Sequence, residues 1–229
     1  MIFRAPAIHP PKVLRRLFPD AWWSIPEKEN AVFLTFDDGP VPQATSTVLD
    51  LLENENVKAT FFCVGENVAK YPELYHRILE AGHSTGNHTY NHLQGLKSDN
   101  QVYYSNVAKA SRYIDSNLFR PPHGLMKPEQ YRHLKKFYRI VMWDILSMDH
   151  HAGFPPGMTL RNIERYVQHG SVITFHDSVK TLGKMALILP PVIKMLKDRG
   201  FQPLPIPFIP PGNLHLYPES EGCHAASAS

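Results

Sequence analysis

Apolar runs alternate with segments of helical periodicity along most of this chain. The run AVFLTF at 31–36 is almost entirely apolar, as expected for a buried strand, and the segment after it has helical spacing. This order repeats to about residue 206. Strands are predicted at 31–36, 58–64, 83–88, 117–122, 138–145, 171–177 and 201–206, and helices at 43–56, 66–82, 99–116, 127–137, 159–170 and 185–199.

The alternation predicts an α/β fold with a mostly parallel sheet, because short strand–helix–strand connections place successive strands side by side in the same direction. About seven βα units in 229 residues fit a distorted (β/α) barrel better than an open sheet, although spacing alone leaves the open sheet as an alternative. Three regions are predicted: an N-terminal extension packing on the barrel (1–28), a catalytic domain (29–205) and a Pro-rich irregular tail (206–229).

Composition narrows the class of protein only slightly. The chain is 43% hydrophobic and 20% charged, which is ordinary for a globular domain, and its net charge of +3 is too small to indicate a nucleic-acid partner. No apolar window is long enough to span a membrane, and the N-terminus lacks the apolar core of a secretory signal. We therefore expect a cytoplasmic protein, with an envelope or secreted location left open if the sequence is a mature form.

Polar residues that could act in catalysis or metal binding lie at the ends of the apolar runs instead of being scattered. In parallel α/β folds the carboxyl ends of the strands face a common site, so residues at these positions are expected to converge. They are Asp37, Asp38, His88, His92, Arg120, Asp144, Asp149, His176 and Asp177.

Two of these histidines indicate a metal site. His88 and His92 are four residues apart, so in a helical turn both rings would share one face and bind one cation. One aspartate of the Asp37–Asp38 pair would complete a three-ligand set and leave the other free to accept a proton. Solvated or capping histidines are the alternative, as is an iron oxygenase, although an oxygenase leaves the second aspartate unexplained.

Five motifs, TFDDGP, HTYNH, RPP-G, WD…D and TFHD, occur in the order and approximate spacing of a known family. Over roughly residues 29–204 the chain resembles the polysaccharide deacetylase domain (NodB-like, carbohydrate esterase family 4). The resemblance implies a NodB-type distorted barrel of about seven βα units. It also implies hydrolysis of N-acetyl, or sometimes O-acetyl, groups on carbohydrate, with one divalent metal ion. That metal is usually zinc (Zn²⁺), with Co²⁺, Ni²⁺, Mn²⁺ and Fe²⁺ as alternatives.

The resemblance also implies residue roles. Asp38, His88 and His92 correspond to the metal ligands, and Asp37 to a general base oriented by Arg120. A metal lowers the pKa of bound water and polarises a carbonyl group, which is consistent with a neighbouring base.

On the leaving-group side, His176 corresponds to the general acid and Asp149 to the carboxylate that holds its ring. A backbone N–H near His123 would bind the oxyanion. Where the family has tryptophan and leucine around the acetyl methyl group, this chain has His150 and Thr174. We therefore expect His123, His150, Thr174 and Trp143 to contact substrate.

These changes leave the predicted metal and acid–base residues intact but make the acyl pocket more polar. The favoured function is a metal-dependent hydrolase that removes an acetyl or similar acyl group from a carbohydrate. The alternatives are an amidohydrolase acting on a non-polymeric or non-sugar amide and a non-catalytic carbohydrate-binding relative. The expected partner is a carbohydrate or small amide substrate, and the sequence leaves the oligomeric state open.

Overall fold

The computed structural model describes residues 8–10, 12–25 and 29–207, which form eight strands and eight α-helices. The strands are β1 Ala31–Asp37, β2 Thr60–Cys63, β3 Ser84–Asn87, β4 Leu118–Phe119, β5 Arg139–Ile140, β6 Ile145–Leu146, β7 Val172–His176 and β8 Gln202–Pro203. The helices are α1 Lys12–Leu17, α2 Pro42–Asn54, α3 Gly65–Lys70, α4 Pro72–Glu80, α5 Asn100–Ala110, α6 Pro128–Leu134, α7 Pro156–Tyr166 and α8 Leu182–Asp198. All of these helices are too short or too polar to cross a lipid bilayer.

The strands form one parallel sheet in the order β5-β4-β3-β2-β1-β7-β6, and β8 pairs with the start of β1. The two edge strands, β5 and β6, are separated in the chain only by residues 141–144. The sheet must therefore curl, because residues 141–144 connect the strand at one of its edges directly to the strand at the other. This confirms the predicted distorted (β/α) barrel.

An N-terminal segment, residues 22–25, crosses the gap between the two edges of the sheet. The Trp22 N–H donates to the Ile140 carbonyl (2.9 Å), and the Met142 N–H donates to the Trp22 carbonyl (2.8 Å). Three residues later, the Ile25 N–H donates to the Gly170 carbonyl just before β7 (2.8 Å). Residues 22–25 thus tie the β5 side of the sheet to the β7 side. The predicted domain boundaries stay predictions, and the tail beyond residue 207 lies outside the described residues.

Side chains on the strands alternate between the barrel interior and the layer under the helices. On β1, Leu34 and Phe36 belong to the large cluster that packs on the helices, whereas Phe33 belongs to a second cluster with Phe62 and Val172. Period-two alternation therefore continues the inward face of β1 through Thr35 to Asp37. Asp37 is therefore the last inward position of β1, at the end of a packed interior.

The predicted helix at 66–82 is two helices, α3 and α4, because Pro72 interrupts it. Proline has no N–H to donate, and it disfavours helical backbone angles at the preceding residue. Tyr71 accordingly leaves the helical region, with φ −131° and ψ 58°.

The other differences concern element ends. The predicted strand at 138–145 is split between β5 and β6, and α5 stops at Ala110 instead of continuing to residue 116. Helix α7 begins at Pro156, not at Thr159, because proline is well suited to the first helical position.

Helix α8 runs through Pro190 and Pro191 without restarting. The two prolines remove the N–H groups that would otherwise donate to the Ala186 and Leu187 carbonyls, and both residues are exposed, so water can bind these carbonyls.

Candidate functional site

The first two site residues are brought together by strand register. In the parallel pair β1–β7, Asp37 lies opposite His176, and Thr35 lies opposite Thr174 one inward position earlier. Asp37 is buried, and the His176 side chain is 16% exposed. The carboxyl ends of these central strands therefore place a carboxylate and an imidazole at the same end of the barrel.

Arg120 follows β4 and is fully buried beneath Asp37. Its Nη1 donates to Asp37 Oδ1 (2.7 Å) and to Thr35 Oγ (2.8 Å), while Nε and Nη2 donate to the carbonyls of Val141 and Met142 (3.2 and 2.9 Å). A buried ion pair is favourable only when further hydrogen bonds satisfy both groups, as they do here. The guanidinium fixes one oxygen of Asp37 and leaves Oδ2 as the oxygen that can accept a proton.

Asp38 turns away from the strand. Its φ of 83° lies in the left-handed region, which reverses the direction of its side chain relative to an extended residue. Its Oδ1 lies 3.2 Å from His92 Nε2 and 3.8 Å from His88 Nε2. The two adjacent aspartates therefore face different partners.

His88 is held in one tautomer. It is buried, and its Nδ1–H donates to the Arg120 carbonyl (2.7 Å), so that Nε2 carries a lone pair facing Asp38. Burial, the largest cause, lowers the pKa of His88 to about 4, so the imidazole is neutral at pH 7.

The predicted helical turn between His88 and His92 is not formed. Thr89 and His92 both have left-handed φ values, 65° and 57°, in an irregular loop. The loop nevertheless brings the two ring centroids to 5.1 Å.

Asp38, His88 and His92 lie close enough together to hold a metal ion. We call these three residues the Asp38 group; one ligand atom from each lies within 4.8 Å of the others. Zinc–nitrogen and zinc–oxygen bonds of about 2.0–2.2 Å place ligand atoms about 3–4 Å apart, so small side-chain shifts would suffice. One carboxylate and two imidazoles are also the ligand types that zinc prefers.

His176 is held by Asp149. Its Nδ1–H donates to Asp149 Oδ1 (2.8 Å) and its backbone N–H to Oδ2 (2.7 Å). Burial disfavours the charged imidazole, but the hydrogen bond and charge of Asp149 outweigh it and raise the pKa of His176 to about 9. Burial likewise disfavours the Asp149 carboxylate, yet hydrogen bonds from His150 and His176 hold its pKa well below the usual range.

Asp149, His150 and His176, the Asp149 group, also have ligand atoms within 4.8 Å of one another. Asp149 Oδ1, however, already accepts hydrogen bonds from Ser147 Oγ (2.8 Å), the His150 N–H (2.9 Å) and His176 Nδ1 (2.8 Å). An oxygen surrounded by three donors is a poor site for a cation. This group instead stabilises a protonated imidazole.

Two of the predicted substrate-contacting residues flank the site. The His150 side chain is 40% exposed, and its ring centroid lies 4.6 Å from that of His176. His123 has a left-handed φ of 59°, and its ring centroid lies 4.8 Å from that of His92. The structure thus places His123 beside the Asp38 group and His150, a member of the Asp149 group, beside His176.

The other two predicted substrate-contacting residues, Trp143 and Thr174, lie deeper in the barrel than His123 and His150. Trp143 packs directly on Gly124, where an added Cβ would lie 2.0 Å from the indole ring. Thr174 is buried, with its Oγ 3.2 Å from Thr35 Oγ below Asp37. Thr174 therefore belongs to a polar layer under the site.

Asp177 and Asn67 have roles in the site that sequence reasoning does not assign. Asp177 Oδ1 accepts from the Gly39 N–H (3.0 Å), and Asn67 Nδ2 donates to the Asp38 carbonyl (2.8 Å). Asp177 has a sequence signal, since it follows His176 at a strand end, but nothing in the helix GENVAK distinguishes Asn67.

Comparison with known proteins gives consistent relationships. A profile of the family described as polysaccharide deacetylase matches residues 24–138. The chain is 29% identical over 188 residues to a peptidoglycan-N-acetylglucosamine deacetylase of Bacillus cereus, covering 79% of this chain and 88% of the relative. It is 30% identical to a chitooligosaccharide deacetylase of a Bradyrhizobium species, covering 77% and 89%.

The fold comparison agrees. The crystal structure of the Bc1960 peptidoglycan N-acetylglucosamine deacetylase, in complex with 4-naphthalen-1-yl-N-oxidanyl-benzamide, superposes with a TM-score of 0.77 at 30% identity. The match covers 90% of this chain and 98% of that one.

Proposed function

Because this chain belongs to the polysaccharide deacetylase family, a family of carbohydrate deacetylases, we propose that it hydrolyses the acetamide of N-acetylated sugars in a peptidoglycan or chitin-like chain. The observation that carries the proposal is the pairing of Asp37 with His176 across β1 and β7, beside the Asp38 group. The proposed base Asp37, the proposed metal ligands of the Asp38 group and the proposed acid His176 thus lie at the same end of the barrel.

The Asp38 group would hold one divalent cation, and zinc is the first candidate because neutral imidazole and carboxylate ligands suit it. When bound, such a cation lowers the pKa of a coordinated water and polarises a carbonyl oxygen. His88 presents Nε2 because its Nδ1 is committed to the Arg120 carbonyl.

Asp37 acts as the general base in this proposal. Arg120 holds Oδ1 at 2.7 Å, so Oδ2 can take a proton from the water that attacks the acetyl carbon. A buried guanidinium also offsets the repulsion between the adjacent Asp37 and Asp38 carboxylates.

His176 acts as the general acid. Its Nδ1–H is bound to Asp149, so Nε2–H is the proton that can pass to the leaving nitrogen. With a pKa of about 9, His176 carries this proton at neutral pH. The C–N bond breaks as the amine takes the proton, and acetate and the free amino sugar are the products.

The experiment that tests this proposal is an acetate-release assay on the purified chain. N-acetylglucosamine oligomers, peptidoglycan fragments, acetylated xylan and a non-sugar N-acetyl amide are compared before chelation, after chelation and after Zn²⁺ addition. We expect release from the first two substrates, its loss on chelation and its recovery with Zn²⁺. Undiminished release after metal removal would refute the metal-dependent mechanism, and release only from the xylan or the non-sugar amide would refute the substrate class.

A second candidate, hydrolysis of an acyl group other than acetyl, is favoured by His150. This exposed imidazole stands beside His176 at the position where the family resemblance places a tryptophan of the acetyl pocket. A parallel series of N-formyl, N-acetyl and N-propionyl glucosamine oligomers tests this candidate. The highest kcat/KM for N-acetyl would exclude it.

A further inference from the structure

Two side chains outside the proposed chemistry hold the backbone of Asp38, and we propose that both of them, Asp177 and Asn67, are positioning residues for metal binding. This inference rests on the proposed role of Asp38 as a ligand. Asp177, which follows β7, and Asn67, in α3, would keep the Asp38 carboxylate directed toward His88 and His92.

Asp38 needs such support because its backbone conformation is unfavourable. A φ of 83° is uncommon for a residue with a Cβ, and such conformations persist only when surrounding contacts impose them. If φ or ψ of Asp38 relaxed, its carboxylate would move away from His92 Nε2, which now lies 3.2 Å from Oδ1.

The peptide group between Asp38 and Gly39 is fixed at both of its polar atoms. Its carbonyl accepts from Asn67 Nδ2 (2.8 Å), and its N–H donates to Asp177 Oδ1 (3.0 Å). The preceding peptide group is held as well, because the Asp37 carbonyl accepts from the Asp177 N–H (3.0 Å). With both flanking peptide planes fixed, φ and ψ of Asp38 are fixed too.

The Asp177 carboxyl is shaped for this contact. It is buried, and its second oxygen, Oδ2, accepts from Thr45 Oγ of α2 (2.6 Å). Its approach to the backbone is so close that a Cβ on Gly39 would lie 2.0 Å from Oδ2. The glycine of TFDDGP is therefore required where Asp177 meets the loop.

Helix α3 supports both ligand-bearing loops. While Asn67 binds the Asp38 carbonyl, the first two residues of the helix, Gly65 and Glu66, donate their N–H groups to the carbonyls of residues 89–90 (3.0 and 2.6 Å). These residues lie in the loop between the two histidine ligands. Asn67 thus links the Asp38 carbonyl to the helix that braces the histidine loop.

The test is zinc affinity, measured by competition with a chromophoric chelator on the full chain carrying Asp177→Asn or Asn67→Ala. An asparagine at 177 has only one oxygen for two donors, Gly39 N–H and Thr45 Oγ–H. Loss of groups that orient a ligand typically weakens metal binding about 10–100-fold, and we expect that range for both variants. Acetate release at limiting zinc should fall in parallel and recover when zinc is raised.

Asp144→Asn is the matched control. Asp144 does not converge with the site residues as its position after an apolar run predicts. It is also buried and also accepts one backbone N–H and one hydroxyl, from Val172 (2.9 Å) and Ser171 (2.8 Å), but at the opposite end of β7. We expect Asp144→Asn to lower the Tm about as much as Asp177→Asn while leaving the zinc affinity at the wild-type value. Asn67 is partly exposed, so Asn67→Ala provides a folded variant if Asp177→Asn is unstable.

The outcomes separate this inference from the proposed function. Wild-type zinc affinity in both Asp177→Asn and Asn67→Ala would overturn the positioning role, as would an equal loss of affinity in Asp144→Asn. A wild-type chain that binds no zinc would instead overturn the proposed role of the Asp38 group.

Discussion

The Asp38 group and the Asp149 group contain the same residue types, one aspartate and two histidines, but the Nδ1–H groups of their buried histidines, His88 and His176, donate in opposite directions. In the Asp38 group, His88 donates its Nδ1–H away from the carboxylate to the Arg120 carbonyl, so a lone pair faces Asp38. In the Asp149 group, His176 Nδ1, Ser147 Oγ and a backbone N–H all donate to the carboxylate. The first arrangement suits a cation, and the second holds a proton. The direction of the Nδ1–H of His88 and His176, more than residue type, separates the two groups.

The largest expected effect comes from removing a metal ligand. His88→Ala should lose zinc and reduce kcat/KM on the order of 10⁴-fold or more, because a catalytic metal contributes several kcal/mol at about 1.4 kcal/mol per tenfold. Metal content by elemental analysis and acetate release measure the two effects.

His83→Ala is the control for His88→Ala. His83 is also buried and hydrogen-bonded through Nδ1, to the Ala59 N–H (3.1 Å), but it belongs to neither group. The His83→Ala variant should be less stable than the wild-type protein but should bind zinc normally. If His88→Ala retained stoichiometric zinc, the assignment of the Asp38 group as the metal site would be wrong.

The second prediction separates the base from the ligands. Asp37→Asn should keep its zinc and its contact with Arg120 but lose about 10³-fold in kcat, since an amide cannot accept the proton and general-base catalysis contributes 10²–10⁴-fold. Asp50→Asn, which alters an exposed aspartate paired with Arg77 (2.6 Å), should leave kcat unchanged. Robust turnover by Asp37→Asn would remove Asp37 from the mechanism.

The parts of the site that follow strands were predictable from the sequence. Asp37, Arg120 and His176 each end or follow an apolar run, and parallel strands bring such positions to one end of a barrel. The same patterning predicted the alternation of strands and helices, because the period of apolar residues reflects burial on the sheet, but it did not predict that α3 and α4 are separate helices or that β5 and β6 are separate strands.

The parts that depend on contacts between distant segments were not predictable. The spacing of His88 and His92 predicts a helical turn, yet left-handed residues at Thr89 and His92 form a loop that is braced by α3. Asn67 bonds a carbonyl 29 residues earlier in the chain, and no local pattern encodes that contact. The ends of strands and helices, such as the break between α3 and α4 at Pro72, depend on single residues. A hydrophobic period is read over many residues and does not detect them.

The third prediction concerns pH and tests the Asp149 group. Asp149 raises the pKa of His176 to about 9, so the protonated acid, and hence kcat/KM, should persist up to pH 9 and fall above it. In Asp149→Asn the pKa should return to about 6.5, which reduces the protonated fraction about 30-fold at pH 8 but less than twofold at pH 6.

A pH profile of kcat/KM from pH 5.5 to 10 measures this shift of the alkaline limb. A merely structural role for Asp149 predicts the same fractional loss at every pH. An unchanged limb in Asp149→Asn would show that another group supplies the leaving-group proton.

The smallest predicted effect tests the exposed edge of the Asp149 group. His150→Trp places an apolar ring beside His176; it keeps the backbone His150 N–H bond to Asp149 but removes the contact between the His150 ring and Asp149 Oδ1 (3.6 Å). Burying one more methyl group is worth about 0.8 kcal/mol, so kcat/KM for an N-acetyl substrate should rise about fourfold. His151→Trp, on the exposed neighbour, should change nothing. A fall in kcat/KM for His150→Trp, at unchanged zinc content, would indicate that the imidazole itself contacts the substrate and that this edge of the pocket selects a more polar group than acetyl.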